Sequence, residues 1–137
     1  MNTRQRPKDG FAPHGRIDQL PLAWEPLFSR IDDSGVSVLA MWVGPSHCDN
    51  QMMLHGGVLA TLAVTAIGLA CVGNVPTDAF ARTNGLQVDY MGTVPLGAWL
   101  EIRPCMRKAG RSVAFANAHV FSDDQLVAMV SATFSIR

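Results

Sequence analysis

A chain of 137 residues is long enough for one core and too short for two. Its 11 lysines and arginines balance 11 aspartates and glutamates, so there is no global basic field to attract nucleic acid. Only 16% of residues are charged and 48% are hydrophobic, against roughly 25% charged in an ordinary soluble chain; the surplus apolar surface predicts self-association.

Residues 1–19 are polar and carry Pro7, Gly10, Pro13 and Gly15, which reads as a flexible N-terminal tail, or a strap laid over a single domain at 20–137. No apolar run follows Arg4, Arg6 and Lys8, so no export signal is expected and the predicted location is cytoplasmic. Cys48, Cys71 and Cys105 have neither metal-site nor C-x-x-C spacing and fit free thiols in a reducing compartment. Leu20 to Phe28 reads as a short helix or anchor around Pro21 and Pro26. The turn Asp32-Asp33-Ser34-Gly35 leads into Val36, Val38, Ala40 and Trp42, the alternation of a strand, which Gly44-Pro45-Ser46 ends.

Leu54 to Val72 is nearly all apolar, but Gly56, Gly57 and Gly68 interrupt it and Thr61 and Thr65 dilute it. It reads as a core helix rather than a membrane span, stopped by Gly73-Asn74-Val75-Pro76. Strands are expected over 83–91, 98–107, 112–121 and 126–136, with Pro104 marking a bulge or an edge. The turns between them fall at Thr93 to Gly97, Lys108 to Arg111 and Ser122 to Asp124. One helix followed by four hairpin-linked strands predicts an α+β fold, with an antiparallel meander curled around the helix. Apolar residues on both faces of the last strands again predict an oligomer.

The glycine pair carries the chemistry. The first N–H groups of a helix lack intrahelical partners and lie at its positive end, so they can hold an oxygen that gains negative charge. The same helix contains no acid, which leaves a base or nucleophile to be found elsewhere. Gly57, Thr61, Val64 and Gly68 form a small-residue ridge, with Thr65 beside it, that either lines a tunnel or allows close packing. Cys48 with His47 and His55 outlines a cysteine–histidine nucleophile, or a metal site with Asp49, but neither has a recognisable spacing, and no metal is expected.

The segments His55-Gly56-Gly57-Val58-Leu59-Ala60-Thr61-Leu62-Ala63, Leu86 to Met91 with Val94-Pro95-Leu96-Gly97, and Lys108-Ala109-Gly110-Arg111-Ser112 resemble the hotdog-fold acyl-CoA thioesterases. The resemblance is to the branch that contains the phenylacetate-degradation thioesterases, and it runs from about Val36 to the C-terminus. It implies a hotdog fold, in which a long central helix is wrapped by a curved antiparallel sheet. Two sheets would join edge to edge in a dimer with active sites between the subunits, and two dimers commonly pair into a tetramer. The activity implied is hydrolysis of an acyl-CoA or aryl-CoA ester, with no cofactor beyond the coenzyme A of the substrate and no nucleic-acid or membrane partner.

The resemblance also implies site residues. The Gly57 amide would bind the thioester carbonyl oxygen beside Gly56, and His55 would orient the loop or the thioester. The family's helix carboxylate falls seven residues after the second glycine, and here that position is Val64. Asp49 and Asn50 precede His55 at the distance of a polar residue beside the thioester, and Thr83 matches a hydroxyl that holds the attacking water. Lys108, Arg111 and Ser112, with Arg82, match the coenzyme A contact, where cations meet phosphates. Two other readings stay open: a protein that binds acyl-CoA or another small ligand without cleaving it, and a hotdog hydratase. The hydratase motif needs a proline that Asp49 to His55 lacks.

Overall fold

The computed structural model describes residues 6–72 and 81–136. Seven strands and one long helix account for most of them: β1 Ala12–Pro13, β2 Phe28–Ile31, β3 Ser37–Trp42, α1 Gly56–Val72, β4 Ala81–Tyr90, β5 Trp99–Ala109, β6 Val113–Ser122 and β7 Gln125–Ile136. The strands form one antiparallel sheet in the order β1-β2-β3-β5-β6-β7-β4. Short 3-10 turns at Leu22–Trp24 and Pro45–His47 punctuate the connections. The expected helix stop at Gly73 to Pro76 lies outside the described residues.

Helix α1 forms because its apolar residues have a sheet to lie against. Leu59, Leu62, Ala63, Ala66, Ile67 and Ala70 are buried along it, facing inward-pointing residues of β3, β5, β6 and β7. Burial of each large aliphatic side chain is worth about 1.5–3 kcal/mol. Strand β6 shows the period of two that this requires: Ala114, Ala116, Ala118 and Val120 are buried, while Val113 and Phe115 are exposed. No helix among the described residues is long and apolar enough to cross a membrane.

The α+β architecture of a long helix wrapped by an antiparallel sheet matches the expectation, but the order of the strands does not. The sequence reads as a meander in which β4 pairs with β5, whereas β4 pairs with β7 and forms one edge of the sheet. Thr93 to Gly97 is therefore a crossing and not a hairpin. It passes the start of α1, where Leu54 N–H donates to Val94 O at 2.7 Å, Leu96 N–H to Met52 O at 3.1 Å, and Met53 bridges to Pro95. The β5–β6 and β6–β7 connections are hairpins as expected, and β2–β3 forms another through Asp32 to Val36. Asp123 and Asp124 both have positive φ, 46° and 67°, the conformation that a two-residue hairpin turn demands.

Pro104 sits at a bulge: the β5–β6 register shifts between Pro104 and Met106. Strand β2 is not among the expected elements, whereas the short helix expected within Leu20 to Phe28 is the 3-10 turn at Leu22–Trp24. Of the tail expected at 1–19, residues 6–19 form a strap. β1 pairs with β2, Ile17 and Leu20 are buried, and Trp42 Nε1 donates to Arg6 O at 2.7 Å. Phe11 of the strap packs with Phe28, Trp42 and Trp99, its ring edge-on to Trp99 at 5.1 Å, while Trp42 lies edge-on to Trp99 at 4.8 Å.

Candidate active site

The site is organised by the loop that delivers the chain into α1. His47 carbonyl accepts the His55 N–H at 2.9 Å, Cys48 bridges to Leu54, and Asp49 N–H donates to Met53 O at 2.8 Å, so residues 47–49 run antiparallel beside 53–55. His47 is the buried anchor. Its Nδ1 accepts the Gly44 N–H at 2.8 Å, and burial, more than the opposing Trp24 and Gly44 backbones, holds its pKa below the ordinary histidine value.

His55 occupies the N-cap of α1. Its carbonyl accepts from Val58 and Leu59, and its Nδ1 accepts the Gly57 N–H at 2.9 Å. A ring that accepts at Nδ1 carries its proton on Nε2, and His55 is exposed, so that N–H faces outward. The structure thus brings His55, Gly56 and Gly57 into one turn, with the Gly57 amide exposed at the positive end of the helix. From the edge strand, Tyr90 adds a contact that the sequence reading did not include: its hydroxyl donates to Gly56 O at 2.6 Å. The two residues lie 34 positions apart, and no spacing rule links them.

Asp49 lies in the same loop and is half-buried. Its Oδ1 accepts the N–H groups of Gln51 at 2.9 Å and Met53 at 3.2 Å, so the carboxylate braces the turn whose tip holds the exposed Asn50. Cys48 and His47 do not form a nucleophile pair. Cys48 Sγ donates to Gly44 O at 3.4 Å, and burial with the nearby Asp49 charge raises the thiol above its ordinary pKa. Among the described residues no group of three His, Cys, Asp or Glu side chains could hold a metal.

On the helix, Val64 is half-buried and packs on the core. Thr61 and Thr65 donate their hydroxyls to the carbonyls of Gly57 and Thr61, at 2.8 and 2.7 Å. Gly68 faces Phe134, whose ring would lie 3.7 Å from an added Cβ, so at that position the ridge serves packing.

The remaining candidates lie elsewhere. Thr83 is at the opposite end of β4 from Tyr90, and seven steps of strand separate them by about 23 Å. Within one chain it does not approach Gly57. Lys108, Arg111 and Ser112 line a cleft of about 490 Å³ together with Phe115 and Asn117, which the sequence reading had not placed there. Arg82 stands opposite Ser135, itself opposite Val113, at that same end of the sheet. A second cleft of about 370 Å³ shares Phe115 and Asn117 and reaches Gly85 and Gln87 on the edge strand.

These features coincide with similarity to known proteins. Residues 52–129 match the family model described as the thioesterase superfamily. PA0474 of Pseudomonas aeruginosa, named as a candidate esterase, is 34% identical over 128 residues, which cover 93% of this chain and 96% of that protein. The medium/long-chain acyl-CoA thioesterase YigI of Salmonella typhimurium is 31% identical over 99 residues, covering 63% of this chain and 64% of YigI. A point variant of the phenylacetic acid degradation protein PaaI from Thermus thermophilus superposes with a TM-score of 0.65 at 30% identity, covering 72% of this chain and 83% of PaaI. With more than half of its length matching the family model and a relative aligned almost end to end, the chain belongs to the thioesterase superfamily.

Proposed function

We propose that the protein hydrolyses acyl-CoA thioesters at the N-terminus of α1. The observation that carries this reading is the exposed Gly57 N–H, held by the His55 imidazole, which a substrate oxygen can displace. Water adds to the thioester carbonyl carbon, and the oxygen that becomes anionic is stabilised by Gly57 N–H and the helix dipole. The carbon–sulfur bond then breaks and the sulfur leaves as thiolate. His55 Nε2–H donates a hydrogen bond to that sulfur, and the thiolate takes up the proton that Asp49 receives from the water, so that the products are a carboxylic acid and the free thiol of coenzyme A. Asp49 is the acid of the loop, and we assign it the role of accepting the proton of the attacking water.

The acyl-CoA class rests on the similarity to YigI, whose name gives that substrate. Lys108, Arg111 and Arg82 supply positive charge for the nucleotide phosphates. Because that patch lies at the opposite end of β4 from Tyr90, whose hydroxyl bonds Gly56 beside Gly57, a complete site draws on two copies of the chain. The open edge of β4, exposed along most of its ten residues, is where they join. Thr83 then serves the partner's site rather than its own.

Thiol release from a panel of acyl- and aryl-CoA esters tests the reading. Turnover is expected, and Asp49→Asn, which keeps the Oδ1 acceptor and so the turn, lowers it by about 10²–10⁴. A panel without turnover overturns the hydrolase reading. A second reading, capture of the thioester without cleavage, is favoured by Val64 packing into the core where the family has its acid. It predicts binding of acyl-CoA with no thiol release.

A further inference from the structure

Tyr90 is the only tyrosine in the chain, and it ends β4 directly over the mouth of α1. Its hydroxyl donates to the Gly56 carbonyl at 2.6 Å, and a Cβ on Gly56 would touch the phenol at 3.4 Å. The Gly56 carbonyl and the Gly57 N–H belong to one planar peptide. On its other side that N–H donates to His55 Nδ1 at 2.9 Å. Phenol, peptide and imidazole therefore form one continuous chain of hydrogen bonds.

A hydrogen bond to a peptide carbonyl draws electron density toward the oxygen and leaves the amide proton more positive, and linked bonds polarise one another. The same bond restrains a peptide flanked by two glycines, the residues with the greatest backbone freedom. We propose that Tyr90 is a positioning residue for the hydrolysis proposed above, on which this inference rests. It fixes and polarises the Gly56–Gly57 peptide, so that Gly57 N–H meets the thioester oxygen as a stronger and better-aimed donor. Tyr90 touches no reacting atom. Its effect is greatest where that oxygen carries most charge, in the transition state, and so falls on kcat more than on KM.

The test is Tyr90→Phe in the full chain, which keeps the ring and removes only the hydroxyl. For acyl-CoA hydrolysis, kcat is expected to fall about five- to tenfold with KM within about twofold. In nitrogen-15 spectra the Gly57 amide resonance is expected to move while glycines remote from the mouth stay in place. Because there is one tyrosine, growth on 3-fluorotyrosine alters this position alone. Its more acidic phenol is a stronger donor and is expected to shift Gly57 the opposite way and to raise kcat, at a pH below ionisation of the ring. A merely structural tyrosine would lower the melting temperature of Tyr90→Phe, leave the Gly57 shift unselective, and leave the fluorotyrosine protein's kcat unchanged. An unmoved Gly57 resonance, or an unchanged kcat in Tyr90→Phe beside an active parent, overturns the proposal. A parent with no hydrolysis overturns the hydrolase reading and the kinetic role together, and the Gly57 shift then reports whether the clamp itself exists.

Discussion

The imidazole Nδ1 of His55 accepts the N–H of Gly57 at 2.9 Å, so the amide best placed to hold a substrate oxygen already has an acceptor in the residue that caps its helix. Capping and the hydrogen bond proposed to the leaving sulfur are thus two functions of one ring, and substitution separates them. Asparagine caps a helix well but cannot donate as an imidazole does, whereas alanine does neither. His55→Asn is expected to unfold at the parent's denaturant midpoint while losing about 10²-fold in thiol release. His55→Ala is expected to lose activity and about 1 kcal/mol of stability. Full activity in His55→Asn would remove the ring from the chemistry.

Val64 stands where the resemblance implies the family's acid, and it packs on the core. An aspartate there restores an acid at the cost of partial burial. Val64→Asp is expected to lose about 1–3 kcal/mol of stability and to raise turnover by about 10²-fold. Thiol-release kinetics and denaturant titration of the same preparation check both halves, and unchanged turnover would show that the water is already served from another residue.

His47 gives the fold a pH dependence. Burial lowers its pKa in the folded state below the ordinary value of 6.5, so between the two values the unfolded chain binds the proton and the folded chain does not. Its contribution is complete above pH 6.5 and is lost as pH falls toward the folded-state value. Melting temperatures across this range are expected to drop on acidification, and to drop less in His47→Gln. An equal slope in both proteins would assign the effect to another group.

Phe11 is half-buried, lies edge-on to Trp99 at 5.1 Å, and has the Arg30 guanidinium 5.4 Å from its ring centre. Phe11→Ala is expected to cost about 1–2 kcal/mol and to shift tryptophan emission to longer wavelength as water reaches Trp99. Emission and stability both unchanged would mean that the strap adds nothing to the aromatic cluster.

Long, strongly patterned elements were legible in the sequence. The helix announced itself by its apolar run, and β6 by its alternation. Phe28–Ile31 was not legible as a strand, because four residues with an arginine third show no period. Nor was the place of β4 in the sheet: Val94-Pro95-Leu96-Gly97 has the residues of a hairpin turn, and only the sheet order reveals a crossing. At the site, His55-Gly56-Gly57 was visible as a motif because it is contiguous. Tyr90 was not, since its bond to Gly56 is made by tertiary packing alone. The brace formed by Asp49 lay between these cases: an aspartate before a turn is a familiar signal, but which of its roles dominates depends on backbone donors that only folding brings to it.

The crossing of residues 93–97 bears on how readily the mouth of α1 opens. A helix that begins with two glycines should fray from that end first, and a frayed end would have to be rebuilt each time a ligand arrived. Here Leu54 and Met52 are fastened to Val94 and Leu96, some forty positions later in the chain. The first turn of α1 therefore cannot melt independently of the strand connection beneath it, and amide exchange at Val58 and Leu59 should follow the slow global rate rather than the fast rate of a free helix end. Rigidity in this region comes from outside the helix, which leaves its first residues free to be as small as a close-fitting oxygen requires.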